Sequence, residues 1–181
     1  MPDPDWTTLY AVAAAQDGYL TTAQADDAGY SRPLLDHHVR SGRFLRVHRG
    51  IYRLRDFPAT DHEDLVVAWL WSDQRGVVSH ETALLLHGLS DALPARVDLT
   101  VPTLWIGRRL KVPTIVRLHH ADVPDADRTW SGPVPVTKPL RTLADCVTDH
   151  VQPDLITQAI HDGLRRGLYT KRELTAAGVP A

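Results

Sequence analysis

The sequence predicts an α+β protein in which a small N-terminal domain, built from helices and one hairpin, precedes a compact mixed α/β domain. Apolar residues recur at helical spacing over residues 5–16, which indicates a helix with one buried stripe. Apolar and basic residues alternate over residues 44–55, as expected for a β-hairpin. After residue 61, strand-like and helix-like segments follow one another with short connections, a pattern typical of a mixed α/β domain.

The length and composition of the chain allow two domains. Its 181 residues are 43% hydrophobic, which is enough for one good core or two small ones. The segment Phe57-Pro58-Ala59-Thr60 has the composition of a hinge. We therefore predict an N-terminal domain over residues 1–56 and a C-terminal domain over residues 61–181.

The composition also argues against several classes of protein. No apolar run approaches the length of a membrane-spanning helix. Trp6 follows Asp3 and Asp5 rather than a basic region, so the start of the chain does not resemble a secretion signal. Cys146 is the only cysteine, which excludes an internal disulfide and a multi-cysteine zinc site. These features predict a cytoplasmic protein.

Two short helices are predicted at the start of the N-terminal domain. The first ends at Asp17-Gly18, and Tyr19-Leu20 then forms a short apolar link. Thr21 or Thr22 caps the second helix, because a threonine oxygen accepts hydrogen bonds from the free amides of a first helical turn. Gly29 closes this second helix.

A third helix follows, with Ser31 as its N-cap and an expected end near Ser41. Pro33 is tolerated in its first turn, where the missing N–H would have no partner in any case. The second and third helices, joined by a turn that contains a glycine, make a helix-turn-helix. The hairpin that turns at Arg49-Gly50 is then a wing with one buried and one charged face. The N-terminal domain is therefore predicted to be a winged helix-turn-helix.

Positive charge is concentrated in this domain. Residues 31–55 contain seven arginines and three histidines against a single acid, Asp36, so the segment carries +6 with neutral histidines in a chain of net charge −2. Guanidinium groups suit phosphate oxygens and guanine edges, so the segment predicts a nucleic-acid interface. The residues predicted to contact base edges or nearby phosphate are Ser31, Arg32, His37 and Arg40. Those predicted to hold backbone phosphate are Arg43, Arg46, His48, Arg49 and Arg53.

The C-terminal domain is predicted to combine helices and strands. Ser79 caps one helix, which ends at Gly88 in the left-handed conformation, and Thr170 caps the last helix. The expected helices span residues 61–71, 80–87, 139–148, 154–164 and 171–177, and the expected strands span residues 96–102, 114–119 and 134–136.

Two groups of charged residues in this domain have less specific interpretations. Arg108, Arg109 and Lys111 form a second basic cluster, which is either a solvated loop or a contact with flanking DNA or an acidic partner. Arg141-Thr142, with Asp145 one turn later, is expected to fix a strand-to-helix junction.

No enzyme signature in the sequence is complete. His80-Glu81 begins a zinc-protease motif, but Leu84 stands where the second histidine is required. No Gly-x-Ser-x-Gly turn surrounds Ser79, and the chain has neither a Walker loop nor a dinucleotide fingerprint. We therefore expect no enzymatic activity, no catalytic residue, no cofactor and no bound metal. The alternative is an enzyme acting on nucleic acid, in which some of His80, Glu81, His119 and Asp122 gather around a metal.

Short motifs along the chain carry a resemblance to a known family. They are Gly18-Tyr19-Leu20-Thr21-Thr22, Ala28-Gly29-Tyr30-Ser31, Arg49-Gly50-Ile51-Tyr52, Ser79-His80-Glu81-Thr82-Ala83, His87-Gly88-Leu89, Asp98-Leu99-Thr100-Val101-Pro102 and Pro135-Val136-Thr137-Lys138-Pro139-Leu140-Arg141-Thr142-Leu143. In this order they resemble the AbiEi-type antitoxin and transcriptional-regulator family of bacterial toxin–antitoxin systems. The resemblance implies a winged-helix domain that binds double-stranded DNA at repeats in its own promoter. It also implies a second domain that neutralises a cognate toxin, in that family commonly a nucleotidyltransferase.

These observations lead to three hypotheses. The first is a DNA-binding autorepressor with antitoxin activity, of which two copies act together where half-sites are paired one helical turn apart. The second is a protein-interaction module whose winged helix docks a toxin or another protein without binding DNA. A stand-alone winged-helix regulator would share the same modules. The third is the metal-dependent enzyme described above, which metal analysis of the purified protein would test.

Overall fold

The structure, a computed structural model, describes residues 3–61 and 63–180 and separates into two units, Met1–Gln74 and Arg75–Ala181. The predicted hinge near residues 57–60 lies before this boundary, because the helix Glu63–Trp71 packs on the strands of the first unit. Among the described residues, no helix combines the length and the apolar character needed to span a bilayer.

The first unit begins with three helices and a small sheet, in the order predicted for a winged helix-turn-helix. Thr21, one of the two threonines predicted as a cap, caps its helix through a capping box with Gln24. The Ser31 hydroxyl accepts from the Leu34 amide, which confirms the predicted cap of the next helix. The elements are α1 (Trp6–Ala14), β1 (Tyr19–Thr21), α2 (Thr22–Asp27), α3 (Arg32–Arg40), β2 (Phe44–His48), β3 (Ile51–Leu54) and α4 (Glu63–Trp71).

The sheet of the first unit contains a strand that the sequence analysis did not identify. Tyr19-Leu20, predicted as a link, belongs to β1, which pairs antiparallel with β3 so that Tyr19 lies opposite Arg53. The strand order is β1-β3-β2. Because β3 is central, and α4 contacts both β1 and β3, all four residues of β3 are buried. The prediction that both hairpin strands present a charged face is therefore wrong for β3.

One hydrophobic cluster joins the helices and the hairpin of the first unit. Leu9 of α1, Leu20 of β1, Leu35 of α3 and Phe44 of β2 are almost completely buried in it. Burial of side chains of this size stabilises the unit by about 1.5–3 kcal/mol each. The cluster thereby holds α3 and the wing on one scaffold.

The second unit is a mixed sheet with helices. Its strands run in the order β6-β5-β4-β8-β7, with β5 parallel to β6, β4 parallel to β8, and the remaining neighbours antiparallel. The elements are β4 (Val77–Val78), α5 (His80–Leu86), β5 (Val97–Val101), β6 (Val116–His120), β7 (Arg128–Ser131), β8 (Val134–Thr137), α6 (Pro139–Thr148), α7 (Pro153–Arg165) and α8 (Lys171–Ala176). The predicted fold class, a winged helix-turn-helix followed by a mixed α/β domain, is confirmed.

Two local details of the second unit differ from prediction. Ser79 precedes α5 but forms no side-chain cap; its hydroxyl instead lies 2.9 Å from His80 Nδ1 and accepts from Thr100 Oγ1. All five residues of β5 are buried, including Asp98 and Thr100, so this strand has no solvent-facing polar side. Both differences place polar side chains, among them Ser79, Asp98 and Thr100, in the interior of the second unit.

The junction between β8 and α6 is built as predicted. Arg141 Nε donates to Asp145 Oδ1 at 2.8 Å, one turn along α6. The hydroxyls of Thr137 and Thr142 lie 2.6 Å apart in the core, which ties the end of the strand to the first turn of the helix.

Candidate nucleic-acid interface

The exposed face of α3 carries the predicted base-contacting arginines. Leu35 is buried, whereas Arg32, Asp36, His37 and Arg40 are exposed. Positions 32, 36 and 40 are four residues apart and therefore lie on one side of a helix. The structure thus gives α3 a solvent-facing side with two arginines and one acid.

The wing presents further arginines beside this helix. Arg46 on β2 and Arg49 in the turn are exposed, and Gly50 completes the turn with φ of 77°. The ladder shifts register between Arg46 and His48, which marks a β-bulge in the outer strand. The wing tip is held against α2, because the Thr22 amide donates to the Gly50 carbonyl at 2.9 Å.

Six exposed arginines of the first unit form no ion pair with any described residue; one is Arg55, and the other five, called here the arginine set, are those predicted to contact DNA. They are Arg32, Arg40, Arg43, Arg46 and Arg49. Arg43 lies over the ring of Trp6 at 5.8 Å, a contact that leaves its guanidinium donors available. Guanidinium groups without carboxylate partners are suited to phosphate.

Arg53 does not belong to this set, which corrects the prediction that it holds phosphate. Only 9% of the residue is exposed, and its guanidinium lies 3.1 Å from Glu63 Oε1 of α4. It also donates to the Phe57 carbonyl at 2.9 Å and lies over the ring of Tyr19. Arg53 therefore fixes α4 to the small sheet. The alternation along the hairpin could not reveal this, because α4 lies beyond it in the sequence.

The remaining predicted residues of the first unit have mixed surroundings. His37 is exposed, and the Ser31 hydroxyl keeps a donor hydrogen while its oxygen caps α3. His48 is half-buried, and its Nδ1 has no hydrogen-bond partner among the described residues. His38, which was not predicted as a contact, packs on Phe44; burial and then the Arg43 charge lower its pKa.

The second basic cluster lies on a loop of the second unit. Arg108, Arg109 and Lys111 are all exposed after the short 3-10 turn Thr103–Trp105. The Arg108 guanidinium lies 5.1 Å from the centre of the Trp105 ring.

The second unit also contains a cluster of histidines and carboxylates that the sequence analysis anticipated only in part. The rings of His80 and His119 stack at 3.7 Å, and Asp149 Oδ2 lies 3.1 Å from His80 Nε2 and 2.9 Å from His119 Nδ1. Glu81 instead pairs with Arg117 at 2.9 Å. Asp122 accepts hydrogen bonds from Thr103, away from this cluster.

The two stacked rings differ in their tendency to hold a proton. Burial, followed by the charge of His119, lowers the pKa of His80. Burial also opposes the protonation of His119, but its hydrogen bonds to Asp98 and Asp149 outweigh it and raise its pKa. Asp149 was not predicted, because nothing in the sequence connects the C-terminal end of α6 with residues 30 and 69 positions earlier.

Comparison with known proteins gives a match to a family model and a likeness to a solved structure. The family model described as "Transcriptional regulator, AbiEi antitoxin" matches residues 8–55, the segment that contains the arginine set. The crystal structure of the Rv2827c protein from Mycobacterium tuberculosis matches 78% of this chain at 17% identity with a TM-score of 0.50, and the chain spans 59% of that protein. This likeness concerns the fold alone. No curated protein matches the chain. The match over residues 8–55 agrees with the AbiEi-type family that the motifs indicated, and it covers the N-terminal domain alone.

Proposed function

We propose that this chain is a DNA-binding autorepressor and antitoxin of a toxin–antitoxin system, and that it acts by binding rather than by catalysis. The observation that supports this best is the arginine set: five exposed guanidinium groups without ion pairs, on a helix-turn-helix and its wing. A merely solvated protein surface usually intersperses charges of both signs.

In the proposed complex, α3 enters the major groove and the wing lies along the backbone. The N-terminal residues of a recognition helix meet base edges, which assigns base contact to Arg32. An arginine fork matches the O6 and N7 acceptors of guanine. Arg46 and Arg49 then hold phosphates. Two copies bound to repeats one helical turn apart would occupy successive major grooves on one side of the duplex.

A comparison of two arginine substitutions tests this assignment. Arg32→Ala should cost about 1–3 kcal/mol at one base pair and relax sequence preference there. Arg46→Ala should weaken binding to all duplexes alike, because a phosphate contact carries no sequence information. Gel-shift titrations against the upstream promoter and a scrambled duplex measure both. The matched control is Arg172→Ala, an exposed arginine of the second unit. Absence of any shift by the promoter at low salt would contradict DNA binding.

We propose further that the second unit contacts the toxin, as expected of a nucleotidyltransferase-neutralising antitoxin. Leu104 and Ile106 support this, because they are 69% and 66% exposed on one short segment next to the second basic cluster. Neighbouring large apolar side chains left in solvent are typical of protein interaction sites. The Arg108 guanidinium beside them would suit an acidic rim on the partner.

Introducing a negative charge into this apolar segment tests the proposed contact. Ile106→Glu and Leu104→Glu should abolish co-purification of the chain with the product of the neighbouring gene, because each would bury an unpaired carboxylate in the contact. Ala176→Glu makes the same change at an exposed position of α8 and should retain the partner. Promoter binding should persist in all three variants. Retention of the partner by both segment variants would contradict the proposal.

A further inference from the structure

The histidine and carboxylate cluster of the second unit has the donor set of a metal site. His80 Nε2, His119 Nδ1 and one oxygen of Asp149 all lie within 4.8 Å of one another. Ligand atoms about 2.0–2.2 Å from a common zinc ion lie about 3.3 Å apart, close to the observed 2.9 and 3.1 Å to Asp149. The three residues come from the start of α5, from β6 and from the C-cap of α6.

The hydrogen bonds around the two rings determine which nitrogen of each ring remains available to bind a metal ion. His119 Nε2 lies 3.0 Å from Asp98 Oδ1, so an N–H there donates to a fully buried carboxylate. Asp98 is itself held by the amide and hydroxyl of Thr82. His80 Nδ1 can donate to Ser79 Oγ at 2.9 Å. Each ring therefore has a hydrogen-bond partner for its other nitrogen, as metal-bound histidines almost always do.

The backbone and the exposure of the cluster also fit a binding site. His80 adopts φ of 49°, in the left-handed region that residues other than glycine rarely occupy. Strain of this kind persists where surrounding structure over-determines it, and it is frequent at ligand-binding positions. The His80 side chain is 4% exposed and the Asp149 side chain 47%, so the cluster opens to solvent on the Asp149 side. An ion can therefore enter without opening the core.

We propose that His80, His119 and Asp149 bind one divalent transition-metal ion, with Zn²⁺ the best match to two imidazoles and one carboxylate. The bound ion cross-links α5, β6 and α6, so it stabilises the second unit. This inference goes beyond DNA binding and toxin neutralisation and does not depend on either. It also reverses our expectation from the sequence that the chain binds no metal. Nothing in the sequence connected Asp149 with the two histidines.

Zinc titration of the full chain, free of any histidine tag and treated with a chelator, tests the site. Isothermal titration calorimetry and metal analysis should give one Zn²⁺ per chain, and Co²⁺ should give the visible absorption of a nitrogen- and oxygen-ligated ion. Asp149→Asn should weaken Zn²⁺ binding by at least about 100-fold, the upper end of the range for loss of a residue that only hydrogen-bonds to a metal ligand. This variant preserves the volume of a half-exposed side chain, so folding should persist, and His119→Ala provides a second ligand deletion.

The matched control is His120→Ala. His120 is the exposed neighbour of His119 on β6, and its removal should leave stoichiometry and affinity unchanged. Zn²⁺ should raise the unfolding temperature of the wild-type chain and of His120→Ala, but not that of Asp149→Asn. A wild-type chain that binds no Zn²⁺, or affinities that Asp149→Asn and His119→Ala leave unchanged, would overturn the proposal.

Discussion

Raising the salt concentration from about 50 to about 200 mM should weaken promoter binding about 40-fold, because in the proposed complex three arginines each neutralise one phosphate. These are Arg43, Arg46 and Arg49, the predicted phosphate ligands that the structure leaves exposed and unpaired. Each contributes about −0.9 to the slope of log K against log salt, which gives about −2.7 for one copy. Fluorescence anisotropy with a labelled promoter duplex measures this slope.

Two substitutions separate phosphate contacts from structural arginines in the same assay. Arg46→Ala should bring the slope to about −1.8, since one counterion fewer is released. Arg53→Gln should leave the slope unchanged, because Arg53 is buried against Glu63 and does not reach solvent freely. It should instead lower the stability of the first unit. A slope that is unchanged in Arg46→Ala but reduced in Arg53→Gln would refute our division of these arginines.

Gly163→Ala should destabilise the second unit by about 1–3 kcal/mol net, although alanine ordinarily stabilises a helix interior by about 1 kcal/mol relative to glycine. Gly163 lies inside α7, where an added Cβ would sit 2.0 Å from the Cζ and Oη atoms of Tyr169. Tyr169 is buried, and its hydroxyl donates to the Ala159 carbonyl. Overpacking costs about 1–3 kcal/mol, and displacement of the ring would add the loss of one buried hydrogen bond, about 1 kcal/mol.

A double-mutant cycle identifies the cause of this loss. In a Tyr169→Leu background the ring atoms are absent, so the same glycine-to-alanine change should cost at least about 1 kcal/mol less. Urea unfolding, followed through the transition of the second unit, gives the four free energies. An alanine variant as stable as the wild type would show that the tyrosine can move at little cost.

Local signals predicted much of this fold. The caps at Thr21, Ser31 and Thr170 depend on hydrogen bonds within three residues, so the sequence alone identified the starts of α2, α3 and α8. The helix α6 has the predicted bounds, Pro139–Thr148, since its proline start and apolar stripe are both local.

Features that depend on distant partners could not be predicted in this way. β1 has three residues, too few for a periodic pattern, and its partner β3 follows some thirty residues later. The pairing of Arg53 requires a helix that begins ten positions farther on. In the candidate metal site, His80 and His119 were named but Asp149 was not, because only the packing of α6 against α5 brings its end toward them.

The hydrogen bond from Thr22 to Gly50 has a consequence for how an operator is chosen. It joins the tip of the wing to the first turn of α2, immediately after β1 ends at Thr21. Because Ala25 of α2 and Leu35 of α3 are buried in the same hydrophobic cluster, this bond also helps to fix the distance between the wing and α3, the two parts that face DNA in the proposed complex. A duplex must supply matching groove dimensions, and sequences that reach this shape with little bending energy would be favoured even at base pairs no side chain touches.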